Sequence, residues 1–173
     1  QFINALGKNQ IIFTRGTTES INLVASSYGR ANIKEGDEII ISHMEHHSNQ
    51  TTWLETIADV IVISPTDEGL PNLEDLEKKM TKYKNRQLKI GAFSACSNVT
   101  GIELPIHKLA KIVHKHKGFC FIDFACSAPY VQIDMHPSDP GEKLDAIYFS
   151  PHKFLGGPGS SGVLIFDSQL YKN

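Results

Sequence analysis

The sequence predicts an α/β fold with a mostly parallel sheet. Three observations carry that prediction. Short apolar runs alternate with longer amphipathic stretches along the whole chain. The runs are rich in Ile, Val and Phe without strict alternation, as in strands buried on both faces. The stretches between them repeat their apolar residues at helical spacing, as crossover helices do.

The predicted strands are 10–14 (QIIFT), 37–43 (DEIIISH), 60–64 (VIVIS), 89–95 (KIGAFSA), 119–125 (FCFIDFA), 145–150 (DAIYFS) and 162–167 (GVLIFD). The first helix follows the first strand, with Ile21, Val24, Ala25 and Tyr28 on one face. A second carries Leu73, Leu76, Met80 and Tyr83. A third starts at Pro105 and stops at Gly118, with cations in its last turn. There is no internal repeat, linker or low-complexity segment.

The composition is that of a water-soluble globular domain: 173 residues, 40% hydrophobic and 21% charged. A net charge of -2 argues against a dominant nucleic-acid or anionic-membrane surface. No apolar run approaches the ~20 residues that span a bilayer. The opening QFINALGKNQ has neither the basic start nor the long apolar centre of a signal peptide. Cys96, Cys120 and Cys126 form no CxxC pair and no zinc-ligand spacing. An odd cysteine count without a signal peptide suggests a reducing, cytoplasmic setting. The chain opens on Gln1 rather than Met and stops soon after an apparent strand, which points to a piece of a longer protein.

In sheets of this kind ligands bind beyond the carboxyl ends of the strands, and the unusual residues lie there. Gly16, Thr17 and Thr18 open the first helix, where free N–H groups favour an anion; either threonine serves equally as an ordinary cap. His43, His46 and His47 have no HExxH order and no evident fourth metal ligand, so no metal site is expected. An imidazole at that strand end is either a stacking partner for a ring or a plain surface histidine. Asp123 lies in an apolar strand and needs a partner, either an internal Arg or Lys or a protonated pyridine nitrogen. Asn98 is a donor to a ring substituent or a turn residue.

Ser150, Pro151 and His152 precede Lys153. Ser150 offers a hydroxyl to a phosphate, His152 a donor or a positive charge, and Lys153 an amine able to form an imine with an aldehyde. The GGPGSSG run (156–162) is a phosphate cradle or a set of turns. Together, phosphate donors at a helix start, a stacking His, a buried Asp and an imine-forming Lys are what pyridoxal phosphate requires.

The motifs FTRGTTESINLVA, GDEIIISHMEHHSN, SNVTG and FSPHKFLGGPGSSGVL, in that order, resemble the class V aminotransferase-like enzymes among fold-type I pyridoxal-phosphate proteins. The nearest group is the cysteine desulfurase and selenocysteine lyase branch. The resemblance covers the whole chain and implies that 1–173 is the cofactor-binding large domain, a three-layer sandwich on a mostly parallel mixed sheet. It also implies the residue roles. Thr18, with Thr17, matches the phosphate-binding position. His46 matches the histidine stacked on the cofactor ring, and Asn98 the asparagine near substrate and cofactor. Asp123 matches the partner of the pyridine nitrogen. Ser150 and His152 match further phosphate contacts, and Lys153 the Schiff-base lysine and proton shuttle.

One position departs from the family. Its strand-five motif reads D-x-A-Q, with the glutamine bonding the cofactor's phenolic oxygen; here DFACS puts Cys126 at that place, a weak donor. The persulfide-forming cysteine of that group lies well beyond the lysine, so Cys126 does not match it. The resemblance implies a homodimer acting on a small amino acid, first of all removing sulfur from L-cysteine to leave alanine and passing it to a sulfur-acceptor protein. A class V aminotransferase, an epimerase and a kynureninase-like lyase are the alternatives within the family. A non-catalytic phosphate-binding module stands outside it.

Overall fold

Apolar runs form the inner strands of a sheet whose two faces find cover. The structure is a computed structural model and describes residues 2–5 and 9–171. Seven strands form one sheet: β1 (Asn9–Thr14), β2 (Glu38–Ile41), β3 (Asp59–Val62), β4 (Lys89–Ser94), β5 (Phe119–Asp123), β6 (Ala146–Phe149) and β7 (Gly162–Asp167). Their order is β1-β7-β6-β5-β4-β2-β3. β7 runs antiparallel to both neighbours, and the remaining pairs are parallel. The carboxyl ends of β1 to β6 therefore share one edge of the sheet.

The sheet is the middle of three layers. Along β2, Ile40 points to one face and Ile39 and Ile41 to the other, the period-2 alternation of a strand. The Ile40 face packs on α4 (Leu73–Lys82) and α5 (Ile106–Lys115) through Leu76, Met80, Leu109, Ala110 and Val113. The opposite face packs on α1 (Thr17–Leu23) and α3 (His47–Leu54) through Ile21 and Trp53. The α/β class and the three-layer arrangement are as the sequence predicts.

Differences from the sequence reading have local causes. The second strand ends at Ile41, because the Ser42 N–H turns aside to Glu45 Oε1 at 3.3 Å. The fifth ends at Asp123, because Asp123 Oδ1 captures the Ala125 N–H at 2.8 Å. After α1 the chain widens into a π turn (Val24–Gly29) before a short α2 (Arg30–Asn32). The Ser26 and Ser27 hydroxyls both donate to the Leu23 carbonyl there, competing with the backbone ladder. At the end of α5 it is Lys117 that takes the left-handed conformation (φ 61°). Gly118 is needed for closeness instead: a Cβ there would stand 2.9 Å from the Lys89 carbonyl and 2.8 Å from Val113. Helix α3 is absent from the sequence reading.

Candidate active site

The strand ends converge on one cavity of about 510 Å³. Its wall includes Gly16, Thr17 and Thr18 after β1, His46 after β2, Asp123 and Ala125 at the end of β5, and Ser150, His152 and Lys153 after β6. Of the nine residues matched to cofactor positions by the family resemblance, seven line it. Asn98 and Cys126 do not. Asn98 is exposed in a turn after β4, where the Ser97 hydroxyl accepts the N–H groups of Val99 and Thr100.

Helix α1 begins without a side-chain cap. Gly16 is its N-cap, so neither threonine serves in that role. Thr17 is buried and tied to Ser150: its N–H donates to Ser150 Oγ at 2.9 Å, and the two hydroxyls lie 2.7 Å apart. The sheet places these together, since β1 and β6 flank β7. Close approach at the helix start depends on Gly162, where a Cβ would meet Gly16 Cα at 2.4 Å. The remaining first-turn N–H groups have no intrahelical acceptor and carry the positive end of the helix dipole. Thr18 is exposed there, with Arg15 beside it on the cavity wall.

His46 is the N-cap of α3. Its Nδ1 accepts the Ser48 N–H at 3.2 Å and lies 2.8 Å from Ser48 Oγ. That contact puts the proton of the neutral ring on Nε2 and fixes the imidazole at the cavity wall. His43 points elsewhere, with Nε2 3.1 Å from the Gly69 carbonyl. Among the described residues no group of three or more His, Cys, Asp or Glu side chains is placed to hold a metal ion.

Asp123 is 3% exposed, yet forms none of the ion pairs found among the described residues. Oδ1 accepts the Ala125 N–H, and the carboxyl opens on the cavity. Burial pushes its pKa up to about 6, against the opposing pull of that N–H and of the Lys153 charge. Lys153 closes a 3-10 turn, Pro151–Lys153, capped by Ser150; it is exposed and unpaired within the described residues. The GGPGSSG run does not line the cavity. Gly156 and Gly159 adopt left-handed backbone (φ 75° and 86°), and a Cβ on Gly157 would fall 1.9 Å from the Pro151 carbonyl oxygen. The run is a set of turns that backs the lysine turn.

Glu45 escaped sequence reasoning. Its carboxylate accepts from the Ser42 N–H and hydroxyl, from Asn49 Nδ2 at 2.7 Å and from Ser94 Oγ at 2.8 Å. It thereby fastens the loop bearing His46 to β2, β4 and α3. Burial dominates its titration and pushes it up to about 7. The one available signal was an acid directly before the histidine pair.

Residues 1–173 match the family pattern of Aminotransferase class-V. A probable cysteine desulfurase of Halalkalibacterium halodurans is 42% identical over 168 residues, covering 95% of this chain and 39% of that protein. One from Staphylococcus epidermidis is 42% identical over 177 residues, covering 100% and 41%. Among solved structures, the cysteine desulfurase CsdA of Escherichia coli superposes with a TM-score of 0.81 at 35% identity, over 92% of this chain and 39% of that one. The apo cysteine desulfurase of Thermococcus onnurineus gives 0.83 at 32% identity, over 98% and 41%. The chain belongs to the class V aminotransferase family, and its fold is that of the fold-type I large domain. It spans about two fifths of the length of the curated relatives it matches.

Proposed function

We propose that this chain is the cofactor-binding part of a pyridoxal-phosphate enzyme that removes sulfur from L-cysteine, leaving alanine. One observation carries the reading. A buried carboxyl without an ion-pair partner, Asp123, opens on the same cavity as an unpaired lysine and an uncapped helix start. Buried Glu38 faces only protein, whereas the Asp123 carboxyl faces open space shared with a lysine, where a cationic ligand group can meet it. An anion site alone would not place a buried carboxylate on its wall.

The donor set fits the cofactor. Arg15, Thr17, Thr18, Ser150, His152 and the first turn of α1 would hold the phosphate. Asp123 as carboxylate would accept the pyridinium N–H, and His46 would lie against the ring. Lys153 would be the covalent anchor through its amine. Pyridoxal phosphate, when bound, supplies an electron-accepting ring that stabilises negative charge at the amino acid's α-carbon. Lys153, no longer engaged as anchor, would take and return the α-proton. Asn98 and Cys126 stand off the cavity wall, so the contacts that family resemblance implies for them rest on that resemblance alone. Homodimeric assembly, a sulfur-acceptor protein and a cytoplasmic setting belong to the same reading. They are supported by the family.

The test is to incubate the purified full-length protein with pyridoxal phosphate, L-cysteine and dithiothreitol, which reduces the released sulfur to sulfide, and to measure sulfide and alanine. Equal release of both, lost in Lys153→Ala, is the expected result. Turnover of other amino acids with no sulfide from cysteine would move the assignment to another reaction of the family.

A further inference from the structure

Two of the three cysteines lie side by side past the ends of β4 and β5, off the cavity wall. β4 and β5 are parallel neighbours with Ser94 opposite Asp123, and the Ala95 N–H continues the ladder to the Asp123 carbonyl at 2.8 Å. Cys96 and Cys126 lie just past these paired ends. The Cys126 thiol donates to the Cys96 carbonyl at 3.0 Å, which sets its sulfur beside Cys96. Both residues are partly exposed, whereas Cys120 is buried within β5.

We propose that Cys96 and Cys126 are a reversible dithiol site that closes to an intramolecular disulfide when the protein meets a peroxide. The Cys96 thiolate attacks the peroxide, the O–O bond breaks, and a sulfenic acid and water result. The Cys126 sulfur then attacks the Cys96 sulfur, the S–S bond forms, the S–O bond breaks, and a second water leaves. Two thiols are oxidised by two electrons and one hydrogen peroxide is reduced to two waters. The shorter thiol–carbonyl contact holds Cys126, at 3.0 Å against 3.6 Å from the Cys96 sulfur to the Ser97 carbonyl, so Cys96 is the freer thiol to meet the peroxide first. A dithiol reductant reverses the bond. The cross-link joins the exits of β4 and β5 one residue from Ala125, a cavity wall. It does not depend on the proposed activity, because neither step uses the cofactor or the substrate.

The experiment treats the full-length protein with hydrogen peroxide, alkylates the remaining thiols under denaturing conditions, and maps peptides by mass with and without prior reduction. The expected result is a peptide pair joined through Cys96 and Cys126, lighter by two hydrogens, with Cys120 still alkylated. Dithiothreitol should restore both thiols. Cys96→Ser and Cys126→Ser should each abolish the joined pair while keeping the circular dichroism spectrum of the parent. Cys96 and Cys126 that stay alkylatable, oxidise separately to sulfinic acids, or pair only between molecules would overturn the proposal.

Discussion

Asp123 and Ser150 set the chemistry of the cavity at the scale of single residues. Asp123 titrates near 6 with the cavity open, so its carboxylate must be present before it can pair with a pyridinium. Cofactor affinity should therefore rise as pH increases through about 6. Asp123→Asn should weaken binding, flatten that rise and lower turnover about 10²-fold or more, the loss expected when a charge partner at the reacting centre goes. Fluorescence titration with pyridoxal phosphate from about pH 5 to about pH 8 measures the first two effects. An unchanged pH profile in the variant would contradict the role. Ser150→Ala removes the acceptor of the buried Thr17 N–H and the partner of its hydroxyl. A cost of roughly 1–3 kcal/mol in stability is expected, with weaker phosphate binding on top. Urea unfolding and competition by inorganic phosphate separate the two.

At the scale of elements, the turn that carries Lys153 depends on one glycine behind it. Gly157→Ala drives a Cβ into the Pro151 carbonyl, so the turn must move. The variant should lose about 2 kcal/mol or more of stability and bind the cofactor more weakly. Thermal unfolding and cofactor titration check both, and an alanine tolerated without either loss would show that the turn is free to shift. This dependence is only half legible in the sequence. Glycines declare a turn, but which of them needs left-handed backbone and which needs closeness depends on where Pro151 lies. The five inner strands were legible because their apolar runs are buried on both faces, and α4 and α5 because their apolar residues keep helical spacing. Helix α3 was not. HSNQTTWL buries only Asn49 and Trp53 and shows no apolar stripe. It is held by polar contacts: the His46 cap, the Glu45 to Asn49 bond, and Trp53 Nε1 donating to Asn49 Oδ1 at 3.1 Å. Glu45 itself was hidden because Ser94 lies 49 residues away in sequence. Seven of nine candidate residues reached one wall because strand-end position is readable from the runs, whereas the turn that carries Asn98 outward is not.

Across the whole molecule, buried acids tilt stability toward low pH. Glu38 is fully buried at the start of β2, with neither carboxylate oxygen hydrogen-bonded, and burial pushes it up to about 7. A carboxyl whose folded pKa is raised binds its proton more tightly folded than unfolded. Its stabilising contribution is therefore complete below the unfolded value of about 4.5 and is lost as pH rises through about 7. Glu45 and Asp123 act in the same direction. The protein without cofactor should unfold at higher urea near pH 5.5 than near pH 8, by roughly 2–3 kcal/mol for a shift of this size. Glu38→Gln should remove part of that difference. The strand ends at the opposite edge of the sheet from Glu38 make the cavity in which, on the function proposed above, Lys153 anchors a cofactor. The most direct test is the visible absorption spectrum of the full-length protein with pyridoxal phosphate, followed by borohydride reduction and peptide mapping. A reduced adduct on Lys153 alone, lost in Lys153→Ala with the fold intact, is the predicted result. A folded protein with no adduct, or with the adduct on another lysine, would contradict the account.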